Sequence, residues 1–77
     1  MKPKTIDTHH QKQLTNLGNL IREYRFSFGL TQKELGKRTN IHTRTIQRLE
    51  SGANITLLSI FKIADALEID VNEILEL

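Results

Sequence analysis

The sequence contains no cysteine, which excludes disulfides and thiolate metal sites and fits a reducing compartment. Its one proline is Pro3, so beyond the first few residues no pyrrolidine ring interrupts a helix. No apolar run approaches the roughly 20 residues that a membrane-spanning helix needs. The lysine-bearing start, Met1 to Gln13, lacks the apolar stretch of a secretory signal. The expected location is the cytoplasm. No segment alternates apolar and polar residues beside a hairpin turn, so strands are not expected. Repeats and low-complexity tracts are also missing. The sequence has no nucleophile beside a base in a recognisable motif and no glycine-rich phosphate loop. The histidines, His9, His10 and His42, do not fall at the His-x-x-x-His spacing of a helical metal site. The protein is therefore expected not to be an enzyme and to need neither cofactor nor metal.

What is present is one small domain of 77 residues, short enough that a second subunit would be a useful source of stability. Its net charge is only +2, but the charge is unevenly distributed. Residues 1–13 carry +2 and residues 14–56 carry +4, whereas residues 57–77 carry −4. The first two thirds therefore suit a polyanion and the last third does not.

Apolar residues recur at helical spacing. Leu14, Leu17, Ile21, Tyr24 and Phe28 line one face of a first helix, which Gly29 ends in the left-handed conformation. Thr31 and Glu34 form a capping box that opens a second helix, about Gln32 to Thr39. Asn40, tolerant of the left-handed region, closes it. A third helix runs from about Thr43 to Ser51, with Ile46 and Leu49 inward and Gly52 after it. Thr56 caps a fourth helix whose Leu57, Ile60, Ile63, Ala64 and Leu67 face the core. Asp70 and Glu73 read as another box, opening a short fifth helix from Val71 to Glu76. The fold class is all-α: a compact five-helix bundle. Gly29 and Gly52 break the pattern too often for a coiled coil.

The second and third helices are joined by only Asn40, Ile41 and His42. A steep crossing over so short a turn needs a small residue inside it, and Gly36 sits there. Leu35, Ile41, Ile46 and Leu49 plug the angle. Thr43, Arg44, Gln47 and Arg48 then project outward as a long, polar, basic set with no acid among them. A helix fits the major groove of B-DNA. Arginine can bond both acceptors of guanine, and glutamine suits adenine. Residues near the start of such a helix lie deepest in the groove.

Two stretches, Gly29-Leu30-Thr31-Gln32-Lys33-Glu34-Leu35 and Ile46-Gln47-Arg48-Leu49-Glu50-Ser51-Gly52, resemble the lambda-repressor-like (XRE) helix-turn-helix family. The likeness continues through Ile21-Arg22-Glu23-Tyr24-Arg25 and Ile63-Ala64-Asp65-Ala66-Leu67, covering roughly residues 14 to 76. The resemblance implies a stand-alone DNA-binding domain containing a helix-turn-helix. It implies base reading by Thr43, Arg44, Gln47 and Arg48, and phosphate contacts from Gln32, Lys33, Arg38, His42 and Thr45. It also implies a buried ion pair between Arg25 and Glu50. The chain departs from the family pattern at three places. His42 stands where a Ser or Thr cap is usual, Thr39 where a small apolar residue is usual, and Gly36 where alanine is common.

Residues 1–13 read as a basic, mobile tail ahead of a domain over 14–77. Thr8 and Gln11 are the alternative, as caps of an upstream extension of the first helix. Leu58, Phe61, Ile74 and Leu77 exceed what one small core needs and are the expected dimer interface. The expected function is a sequence-specific double-stranded DNA-binding transcriptional regulator, a dimeric repressor or control protein on an inverted repeat. The alternative is an antitoxin that binds a protein toxin and represses its own operon. The expected partners are double-stranded DNA, a second copy of the chain, and a toxin or RNA polymerase.

Overall fold

The structure, a computed structural model, describes residues 8–75. It is all helical over those residues: α1 (Thr8–Ser27), α2 (Gln32–Thr39), α3 (Thr43–Glu50), α4 (Leu57–Ala66) and α5 (Val71–Leu75). No helix among the described residues is long and apolar enough to cross a membrane.

The helix ends follow from a few local rules. Thr31 accepts the Glu34 amide at 3.0 Å while the Glu34 carboxylate accepts the Thr31 amide at 2.9 Å, which completes the predicted capping box. That bond from the Thr31 amide is the main reason the Glu34 carboxyl is held below its usual range. Asn40 adopts the left-handed conformation (φ 56°) and ends α2. Gly29 (φ 68°) and Gly52 (φ 95°) do the same after α1 and α3. In both, the two amides at the turn reach back into the helix: Gly29 to Phe26 and Leu30 to Arg25, then Gly52 to Leu49 and Ala53 to Arg48. This is the paired-bond closure of a Schellman turn. Glu68 (φ 53°) takes the same place after α4 with a side chain.

The core gathers Leu17, Ile21, Leu30, Leu35, Ile46, Leu49, Ile60, Ile63, Ala64, Leu67, Ile69 and Ile74. Several expectations need correction. The first helix begins at Thr8, not near residue 14, which is the upstream extension given as the alternative to a tail over 1–13; residues 8–13 belong to α1, and residues 1–7 lie outside the described residues. Phe28 is exposed beyond the end of α1. Leu57, expected in the core, is 60% exposed. It is the first residue after the Thr56 cap and points away from the bundle. Asp70 caps the Asn72 amide at 2.9 Å, but Glu73 does not return to complete a box. Its carboxylate instead accepts the Tyr24 hydroxyl at 2.7 Å, tying α5 to α1, and that bond is the main cause raising the Tyr24 pKa.

Candidate nucleic-acid interface

The candidate interface is built on the α2–α3 pair. α3 is only eight residues long, too short to be stable alone, so its position is set by what packs against it. Ile46 and Leu49 are buried inward. Thr43 is half-buried, while Arg44, Thr45, Gln47 and Arg48 are exposed. The one acid of the helix, Glu50, is turned inward and buried.

The turn into α3 is tight. A Cβ on Gly36 would stand 2.7 Å from the Ile41 carbonyl oxygen, so the crossing leaves no room for a side chain there. Thr39 is buried with its hydroxyl donating to the Leu35 carbonyl at 2.8 Å, which lets a polar residue sit in an otherwise apolar place. His42 does cap α3: its Nδ1 accepts the Arg44 amide at 3.1 Å. A ring that accepts at Nδ1 carries its hydrogen at Nε2, so the second nitrogen remains a donor on an exposed side chain.

Behind the outward face of α3 lies a buried polar cluster. Arg25 donates through Nε to Glu50 Oε2 at 2.7 Å and through Nη2 to Oε1 at 3.0 Å. Its Nη1 donates to the Leu30 carbonyl at 2.8 Å. Both side chains are almost wholly buried. Gln32 joins by donating from Nε2 to Glu50 Oε1 at 3.1 Å. One amide hydrogen is thereby fixed and the other is left for a further acceptor. The cluster links the end of α1, the start of α2 and the end of α3.

Lys33 and Arg38 are exposed on α2. Leu58 (62%) and Phe61 (49%) are exposed on α4, and Leu75 is exposed on α5. Ile74 is not available to a partner: it is fully buried in the core, held there as α5 packs across α1 and α4. Leu77 lies outside the described residues.

Sequence reasoning missed the contacts that Gln11, Gly18 and Arg22 make with the end of α3 and the turn after it. Gln11 donates to the Gly52 carbonyl at 3.1 Å, Arg22 to the Glu50 carbonyl at 2.9 Å, and Gly18 lies against the backbone of Leu49 and Glu50. With Thr15 and Arg25 these residues step by three or four along α1, a second stripe beside the apolar one. That periodicity was visible in the sequence, but its polar residues resembled a solvated face.

Among the described residues, five helices, a closely packed α2–α3 pair and a basic outward face define a helix-turn-helix domain. The family model for Helix-turn-helix matches residues 21–74, and the chain belongs to that family, of the XRE (lambda-repressor-like) type. Among solved structures it is similar to the restriction-modification controller protein C.AhdI from Aeromonas hydrophila. The TM-score is 0.79 with 31% identity, over 82% of this chain and 97% of that one. It is also similar to the hypothetical transcription factor NHTF from Neisseria, with a TM-score of 0.76 and 25% identity over 97% of this chain and 84% of that one. No curated protein matches the chain in sequence. The family and these neighbours make the chain a DNA-binding transcriptional regulator.

Proposed function

We propose that the protein is a sequence-specific regulator that reads double-stranded DNA as a symmetric homodimer on an inverted repeat. The observation that carries this reading is the outward face of α3, where Arg44, Gln47 and Arg48 are exposed and the only acid of the helix is buried. Thr43, Arg44, Gln47 and Arg48 read bases: the arginines each bond guanine twice, the glutamine bonds adenine, and the threonine methyl meets thymine. Gln32, Lys33, Arg38, His42 and Thr45 hold phosphates and fix the register. Gln32 does so with the amide hydrogen that Glu50 leaves spare, and His42 with Nε2–H. The likeness to a restriction-modification controller supports a small domain that governs transcription by itself, by occupying a promoter or by touching RNA polymerase.

The test is selection of bound duplexes from a random pool, followed by titration of the best site at several salt concentrations. Lys33, Lys37, Arg38, Arg44 and Arg48 form the basic set, most of which can contact phosphates, and each neutralised phosphate contributes about −0.9 to the slope of log K against log salt. A dimer is expected to give a slope of about −4 or steeper. Arg44→Ala and Arg48→Ala are each expected to cost about 1–3 kcal/mol on the selected site and to relax preference at one position. Lys33→Ala weakens all sequences nearly equally. A flat salt response, or arginine variants that keep the full preference, defeats the reading.

The proposed dimer rests on the exposed apolar residues of α4 and α5. Leu57, Leu58, Phe61 and Leu75 are exposed in the acidic last third of the chain, where pairing leaves the basic face free. One recognition helix reads too few base pairs to select a site, and two-fold pairing places two helices about 34 Å apart along the duplex. Leu58→Glu sets like charges against each other near the axis and is expected to give a folded monomer with weakened operator binding. Sedimentation over a concentration series checks this. A wild type that stays monomeric at high micromolar concentration, or an unchanged Leu58→Glu dimer, rules the interface out.

A further inference from the structure

The carbonyls at the C-terminal end of α3 can be accounted for completely. The last four carbonyls of a helix have no partner within it. Here the Gln47 carbonyl accepts the Ser51 amide and the Ser51 hydroxyl. The Arg48 carbonyl accepts the Ala53 amide, and the Leu49 carbonyl accepts the Gly52 amide. The turn satisfies those three. The Glu50 carbonyl is beyond its reach and is taken by Arg22 Nη2 of α1 at 2.9 Å. Two residues further, the Gly52 carbonyl is taken by Gln11 Nε2 at 3.1 Å. The same Nε2 lies 3.3 Å from Thr15 Oγ1, which steadies the side chain. Between the two bonds, Gly18 lets the α1 backbone lie directly on that of α3.

From this geometry we infer that α1 is an indexing rail for the recognition helix, and that Gln11 and Arg22 are positioning residues that set DNA specificity. The inference rests on the DNA-reading role proposed above. Arg22 holds α3 at its last carbonyl and Gln11 holds the turn two residues beyond it, so tilt and slide of the helix along its axis are both restrained. Gln11 does so at the edge of the reading face, since it lines one groove with Gln47, Arg48 and Ser51. Its turn of α1 lies outside the family match over residues 21–74, so this part of the rail is a feature of the chain beyond the matched domain. Base contacts require donor and acceptor to meet within tenths of an ångström, whereas attraction to phosphates survives a small shift. Loosening α3 therefore lowers discrimination and leaves non-specific affinity in place.

The test compares Gln11→Leu, which keeps bulk but loses the donor, and Arg22→Lys, which keeps the charge but loses the guanidinium reach, with the double variant. Each is titrated against the selected duplex and a scrambled duplex at one salt concentration, with the salt slope measured for both. The ratio of specific to non-specific affinity is expected to fall about five-fold in each single variant, the size of effect that one hydrogen bond has on an equilibrium, and further in the double. Salt slope and scrambled-duplex affinity are expected to stay unchanged. Gln11→Asn, one methylene too short to reach Gly52, repeats the test if the leucine variant fails to fold. Folded variants that keep the wild-type ratio, even with lower thermal stability, overturn the inference while leaving the DNA-binding reading intact. A wild type with no preference between the duplexes defeats that reading first.

Discussion

Glu50→Ala is expected to remove about 3–5 kcal/mol of folding stability, the cost of leaving a buried charge without its partner. The carboxylate accepts both Arg25 bonds and the Gln32 amide. Without it, the Arg25 guanidinium, only 6% exposed, keeps the Leu30 carbonyl as its sole hydrogen-bonded neighbour. A domain of this length has roughly 4–12 kcal/mol in total, at about 0.05–0.15 kcal/mol per residue. The variant is therefore expected to lie near the edge of folding, with its urea midpoint lowered accordingly and its dependence on denaturant little changed. Replacing both partners, as Arg25→Met with Glu50→Leu, removes the charges together and is expected to recover much of the loss. On the proposed phosphate role of Gln32, the recovered protein is expected to bind DNA more weakly than wild type, because that side chain no longer has the acceptor that orients its amide. A Glu50→Ala variant within about 1 kcal/mol of wild type would mean that the pair is solvated in solution.

Much of this unit was legible because its signals are local. The Thr31–Glu34 box, the left-handed Gly29 and Asn40, and the apolar spacing of Leu17, Ile21, Ile46 and Leu49 each depend on residues within a few positions. The errors arose where a side chain had a choice between a local and a distant partner. Glu73 has the spacing of a box residue with Asp70, but the Tyr24 hydroxyl from α1 takes its carboxylate. Ile74 looked like surplus surface, yet the packing of so short a helix against α1 and α4 buries it completely. Leu57 falls in phase with the α4 core face but lies in the first turn, where none of the described residues covers it. The polar residues 8–13 suit either a tail or an upstream extension of α1, and the structure takes the extension. What holds them is the bond from Gln11 to Gly52, 41 positions away; the spacing of Gln11 on the polar stripe of α1 does not name that distant partner.

Gly18 shows how distant packing can reverse a rule that holds locally. Glycine inside a helix is about 1 kcal/mol less favourable than alanine, so Gly18→Ala would stabilise α1 if the site were open. It is closed: an added Cβ would overlap the Leu49 carbonyl oxygen and stand 2.9 Å from that of Glu50. Both atoms are backbone at the end of a helix, so neither can swing aside as a side-chain tip would. The helices must separate, and overpacking of this kind costs about 1–3 kcal/mol and occasionally more. Separation also lengthens the Arg22 bond to the Glu50 carbonyl and strains the Arg25–Glu50 pair a turn away, adding to the loss. The packing term is expected to exceed the propensity gain, leaving Gly18→Ala less stable than wild type by about 2 kcal/mol and Gly18→Val by more. Asn19→Ala, one residue along on the exposed side of α1, supplies the control. With no close backbone to meet, it is expected to be neutral or stabilising by a few tenths of a kcal/mol, as helix propensity alone predicts. Urea melts of the three variants decide the matter by sign. If Gly18→Ala melts later than wild type, α1 and α3 are not in backbone contact in solution.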